Sequence, residues 1–135
     1  MKKFILSALF VLFSLVAFSQ SRLGYYPNQI LAEFPASIYG TTTGYDQDGD
    51  YYIFVRFKRC SVTYYFNYNN QCWLSLITPH TQGNLNWFVE LYNNNYVILS
   101  NTHWQMYSSE GIGDIRLLYP EGGGYYFAWT TLSTR

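Results

Sequence analysis

The residues of this chain that could do chemistry are few and scattered. Its two histidines, His80 and His103, lie 23 positions apart. No His-Glu-x-x-His, spaced cysteine set or dense carboxylate cluster accompanies them. A zinc site would have to gather three or four ligands from this thin supply. Both are expected to be polar surface residues, one beside a strand end and one beside a helix start. Glu110 and Asp114 are near His103 in sequence only. The serines sit in no Gly-x-Ser-x-Gly elbow. Gly122-Gly123-Gly124 lacks the lysine of a phosphate-cradling loop. Two carboxylates for glycoside cleavage could be drawn from any of eight acidic residues, with Glu90 expected on a solvated helix face, so that chemistry gains no specific support. No catalytic residue and no cofactor is assigned.

Asp46-Gln47-Asp48-Gly49-Asp50 places carboxylates at alternate positions, as a calcium loop does. Such a loop also needs glycine sixth and glutamate twelfth. Here glycine is fourth, and position twelve is Phe57. Asp46, Asp48 and Asp50 are the only metal candidates, and an acidic turn leading into a strand fits them better. Cys60 and Cys72 would form a disulfide by default in an exported protein. The strands expected around them put the pair roughly 25 Å apart, whereas a bridge needs Cα atoms within about 7 Å. No Cys60–Cys72 disulfide is expected.

One constellation points to binding. Tyr52, Phe54, Arg56 and Lys58 alternate with an apolar set and would share the outward face of a strand. Aromatic and basic groups interleaved this way suit stacking on rings beside an anionic group. The competing reading is a second buried layer that covers Tyr52 and Phe54.

The elements that must position these residues follow from periodicity. Tyr51, Ile53, Val55 and Phe57 form one apolar strand face, and Val62, Tyr64, Phe66 and Tyr68 another. A reversal at 58–61 would pair 57 with 62, 55 with 64 and 53 with 66, so that both sets share a face. A three-residue loop at Asn69-Asn70-Gln71 would send Cys72, Leu74 and Leu76 inward. A two-residue Asn-Asn turn would send Gln71, Trp73, Ser75 and Ile77 inward instead. The first is preferred because its inward face is purer and Asn tolerates the left-handed conformation. Leu85, Phe88, Val89 and Tyr92 fall on one face of a helix, with Asn84 as N-cap and Asn93-Asn94-Asn95 as its stop. Residues 96–100 read as a strand, and 102–107 as a short helix ended by Gly111. Residues 115–119 and 125–131 make a final hairpin. Residues 20–44 are broken by Pro27, Pro35 and Gly40, with one short strand at 37–39, and 41–50 is turn chemistry.

The expected fold class is α+β: an antiparallel sheet of about six strands, in β-β-β-α-β-β-β order, with one main helix on its apolar face. The expected organisation is a signal peptide at 1–19, a lead-in arm at 20–50 that packs onto the domain, and a single domain at 51–135. Lys2-Lys3, the apolar run from Phe4 to Phe18 and the small residues Ala17 and Ser19 compose a secretory leader cut after Ser19. No cysteine follows to carry a lipid, and the run is short for a membrane span.

Composition agrees with a small exported domain. The formal charge is zero, and without Lys2 and Lys3 the remaining chain carries six basic against eight acidic side chains. Neither nucleic acid nor anionic lipid is indicated as a partner. Aromatic residues make up 21% of the chain, fifteen of them tyrosine, more than one core of this size can hide. The function these features suggest is a secreted or periplasmic binding module with an aromatic-rich surface for a glycan, peptide or protein. The alternatives are an inhibitor or immunity-type protein that plugs one hydrolase and, third, a hydrolase itself.

Overall fold

The computed structural model describes residues 22–109 and 111–134. Residues 1–19, expected as a leader, lie outside them. The chain opens with two short helices, α1 (Pro27–Glu33) and α2 (Ala36–Tyr39). It continues through β1 (Thr42–Tyr45), β2 (Tyr51–Arg56), β3 (Cys60–Phe66) and β4 (Cys72–Pro79). The long helix α3 (Gln82–Asn95) follows, then β5 (Val97–Ser100), β6 (His103–Ser108), β7 (Gly111–Leu118) and β8 (Tyr126–Thr134). All eight strands form one antiparallel sheet in the order β1-β2-β3-β4-β8-β7-β6-β5. Two four-stranded meanders therefore meet at the β4–β8 pair.

The class is α+β with one main helix on an antiparallel sheet, but the sheet has eight strands rather than six. The two additional strands fall where turn and helix signals were strongest. Thr42–Tyr45 pairs with Tyr51–Phe54 because Asp46 folds the intervening turn with its own carboxylate. Residues 103–108 are a strand, not a helix. Trp104 points into the core while His103 and Gln105 lie on the opposite face, a period of two concealed by the short length of the run. Residues 37–39, expected as a strand, belong to α2, which ends at Gly40 in the left-handed conformation (φ +60°).

Helix α3 runs from the centre of the sheet to its far edge. Its 14 residues span about 21 Å, close to the four strand spacings of about 19 Å between β4 and β5. The N-cap is Thr81 rather than Asn84: Thr81 Oγ1 accepts the Asn84 backbone N–H at 3.1 Å. The helix buries Leu85, Phe88 and Tyr92, each contributing about 1.5–3 kcal/mol. Tyr92 is the hub, in ring contact with Phe88, Tyr96, Trp104, Phe127 and Trp129. Its hydroxyl accepts the Trp129 indole N–H at 3.2 Å, and Trp104 Nε1 donates to Asn93 Oδ1 at 2.7 Å. Helix α1 adds Ile30 and Phe34 to the same core, with Phe34 edge-on to Phe57.

The registers differ from expectation in two places. In β2–β3, Val55 opposes Val62 and Ile53 opposes Tyr64, two residues from the expected pairing. The apolar faces still match, and the chain turns early because Cys60 is itself buried as the first residue of β3. In β3–β4, the backbone bond between Asn67 and Gln71 encloses a three-residue loop at 68–70, with Asn70 at φ +64°. Asn67 Oδ1 accepts the Asn69 and Gln71 N–H groups. Phe66 then opposes Cys72, but the register shifts by one so that Tyr65 opposes Leu74. The extra residue at Trp73 reverses the alternation. Ser75 and Ile77 are buried beneath the helices, while Leu74 and Leu76 move to the opposite face, against the expected inward set.

Candidate functional site

Both helical layers lie on the same side of the sheet. The inner face carries Ile53, Val55, Val62, Tyr64, Ile77, Trp104, Ile115, Phe127 and Trp129, all buried. Strict alternation puts their neighbours on the outer face, opposite the helices, where Tyr52, Phe54, Tyr65, Leu74 and Leu76 are half-buried. The registers lay out this face as rows perpendicular to the strands. One row reads Phe54, Thr63, Leu76, Ala128, Arg116, His103 from β2 to β6. The next reads Gly44, Tyr52, Tyr65, Leu74, Thr130, Asp114, Gln105 from β1 to β6.

At one end of this face are rings. Tyr52 and Phe54 are half-buried and lie on it as the sequence pattern placed them, with Arg56 and Lys58 exposed. Tyr52 and Tyr65 face each other with ring centroids 6.2 Å apart. The Tyr52 ring leans over Gly44, where a Cβ would stand 2.8 Å from its hydroxyl and 3.0 Å from its ring. Glycine at 44 thus sets the ring's position. Burial, then the charges of Asp46, Tyr52 and Asp50, push the Tyr65 phenol above its ordinary pKa. It stays a protonated donor at neutral pH.

At the other end is a cluster that sequence proximity did not reveal. The β6–β7 pairing sets His103 opposite Arg116 and Gln105 opposite Asp114. Across the diagonal, His103 Nε2 lies 2.5 Å from Asp114 Oδ1, and Arg116 Nε donates to Asp114 Oδ2 at 2.9 Å. Asp114 is only 3% exposed. Burial alone would raise its carboxyl pKa, but the hydrogen bonds and charges of His103 and Arg116 outweigh that and hold it below the ordinary range. The carboxylate accepts from both side chains, so Nε2 of His103 carries a proton and Nδ1 is the outward nitrogen. Spacing on a hairpin was the signal available: positions 103 and 114 come together only once 103–108 is read as a strand.

The remaining candidates have structural explanations. His80 ties the end of β4 to the β2–β3 turn. Its Nδ1 is 3.2 Å from the Lys58 carbonyl and its Nε2 is 3.0 Å from Ser61 Oγ. The carbonyl can only accept, so Nδ1 donates, and in the neutral ring Nε2 accepts from Ser61. Arg59, next to Lys58 in the β2–β3 turn, stacks on Trp87 of α3, 4.4 Å from the ring centroid. Asp46, Asp48 and Asp50 bring carboxylate oxygens within 4.8 Å of one another. Their spacing is accounted for by the turn, since Asp46 Oδ1 accepts the Asp48 and Asp50 N–H groups at 3.0 and 2.9 Å. Cys60 and Cys72 are free, buried thiols at opposite ends of β3, beside Pro79 and Phe66 respectively. Glu90 is exposed on α3. Two open depressions lie away from the outer face's centre, one beside Tyr26 and Asn70 and the other beside Tyr96 and Tyr107.

Comparison with protein-family models, curated proteins and solved structures found no match. No helix among the described residues is long and apolar enough to cross a membrane.

Proposed function

We propose that this protein is an exported binding module whose ligand lies across the outer face of the sheet. The observation that carries this reading is the asymmetry of the sheet. Its two helical layers pack on one face, while the other holds Tyr52, Phe54, Tyr65, Leu74 and Leu76, each half-buried rather than sealed in the core. The part of these side chains left outside the core forgoes hydrophobic stabilisation. A ligand-binding role accounts for it. The rings present flat apolar surface, and Ser61, Thr63, Thr78 and Thr130 supply short hydrogen-bonding groups among them.

The reading favours binding over catalysis. The outer face is broad rather than a closed cavity, and no serine or cysteine nucleophile stands within hydrogen-bond reach of His103 among the described residues. The test is capture by the immobilised full chain from envelope and medium extracts of the cells that make it. Polysaccharide or mixed surface material recovered by the native chain, and lost with Tyr52→Ala plus Phe54→Ala, supports the reading. A single protein recovered one-to-one, and unaffected by those substitutions, would replace it with the inhibitor alternative.

A further inference from the structure

The outer face has a polarity along its long direction that the aromatic residues alone do not explain. Phe54 and the Tyr52–Tyr65 pair lie on β2 and β3, whereas Arg116 and His103 lie on β7 and β6 of the same face. Between β2 and β7 are four strand spacings, about 19 Å. The cationic end is preorganised. Asp114 fixes Arg116 through Nε, leaving both terminal amino groups of the guanidinium without another hydrogen bond among the described residues. Arg116 is 57% exposed, so these donors point to solvent while the stem is held. His103 Nδ1 stands beside them, since Nε2 is engaged, and it donates to an anion only in the imidazolium form of the ring.

The carboxylate at the centre of the cluster is engaged on both oxygens. Each of its oxygens accepts one charge-assisted bond, and the group is buried. Outward of it stand the two terminal amino groups of the Arg116 guanidinium. No acidic side chain other than Asp114 occupies the two rows, and a second exposed guanidinium, Arg56, lies at the aromatic end of the face on β2.

We propose that Arg116 and His103, positioned by Asp114, form an anion subsite, and that the ligand of the outer face is an acidic oligosaccharide. This rests on the binding-face reading above and names its ligand class. A peptide joining the sheet by strand addition would use the edges, β1 or β5, rather than the face. A chain of pyranose rings advances about one strand spacing per residue, about 5 Å. A four- or five-sugar segment would therefore stack rings on Tyr52, Phe54 and Tyr65 and bring a uronate carboxylate or sulfate to Arg116. Carboxylate and sulfate each present an edge of two acceptor oxygens, which a guanidinium fork recognises.

The experiment is calorimetric titration of the purified full chain with oligogalacturonate, a sulfated chondroitin oligosaccharide and neutral cello-oligosaccharide of matched length. The variants are Arg116→Gln, Arg116→Lys, His103→Gln and Glu90→Gln, the last on α3 across the molecule. Circular dichroism and thermal melting of each variant separate binding loss from misfolding. Gln at 103 and Lys at 116 can each still donate to Asp114. The proposal expects an acidic ligand to bind at least tenfold tighter than the neutral one. Arg116→Gln should remove about tenfold or more of that affinity, with Arg116→Lys and His103→Gln intermediate and Glu90→Gln unchanged. The relative strengths of oligogalacturonate and the sulfated chain then identify the anion. Equal binding of acidic and neutral chains, with no effect at Arg116, overturns the subsite and spares the binding face. Binding of no oligosaccharide overturns both. In that event, a dimer in sedimentation would assign the face to a second copy.

Discussion

Replacing Asp114 by Asn should cost stability in a way that depends on pH. The change is isosteric, so packing around a side chain that is 3% exposed is preserved. The native carboxylate accepts from both His103 and Arg116. Asn offers one carbonyl oxygen and one amino group. Its oxygen can keep Arg116 Nε, while its amino group must face His103 Nε2, which has to surrender its proton and move it to Nδ1. Two charge-assisted bonds become two neutral or half-neutral ones. Hydrogen bonds to charged groups contribute about 1.5–3 kcal/mol each, and Arg116 is mostly solvated, so a loss of about 1.5–3 kcal/mol in total is expected near pH 7. Because the folded pKa of Asp114 is depressed, its contribution is fully present above the unfolded value of about 3.9. It is lost as pH falls through the lower folded value. The native–variant difference should therefore shrink as pH drops below about 4. Urea unfolding at pH 7, 5 and 3, followed by fluorescence of the four tryptophans, reads it directly. A difference that stays constant across this range would refute the assigned role of the carboxylate. So would a cost below about 0.5 kcal/mol at pH 7.

Other substitutions test neighbouring parts of the account. Tyr92→Phe leaves the buried Trp129 indole N–H without its acceptor and should cost about 1–3 kcal/mol, measured as a shift in urea midpoint at unchanged m. Gly44→Ala should displace the Tyr52 ring, weakening ligand binding severalfold while changing the melting temperature little, as parallel calorimetry and thermal melts would report. Burial pushes the Cys60 thiol to about 12 and, against hydrogen bonds from its neighbours, the Cys72 thiol to about 11. Neither should react with a thiol-specific disulfide reagent at pH 8 until denaturant is added. Rapid labelling of the native protein, or a two-hydrogen mass gain on reduction, would contradict the buried free-thiol assignment.

What the sequence made legible was what local periodicity encodes. The faces of β2 and β3, the apolar stripe of α3 and the last hairpin all followed from spacing. Tyr52, Phe54 and Arg56 share one face of β2 by alternation, whereas Lys58, expected with them, lies beyond the strand in the β2–β3 turn. The losses came where a single residue changes parity or a strand is short. Trp73, an added residue in the ladder, turned Leu74 and Leu76 outward. A purity criterion could not anticipate it, because the buried Ser75 makes a polar inward position tolerable: its hydroxyl lies 3.6 Å from Cys72 Sγ. Strand β6 carries Asn, Thr and His at its entrance, residues that equally suit a helix cap. Reading it as helix hid the encounter of His103 with Asp114, which exists only through the β6–β7 ladder.

The most direct test of the binding face is methyl-resolved NMR of the full chain titrated with oligogalacturonate. The two faces carry different methyl groups: Thr63, Leu74, Leu76, Ala128 and Thr130 outward, and Ile53, Val55, Val62, Ile77 and Ile115 inward. Shifts concentrated on the outward set are expected, largest for Leu76 and Ala128 between the rings and Arg116. Shifts confined to the exposed Val97, Ile98 and Leu99 of β5, or spread equally over both faces, would contradict it.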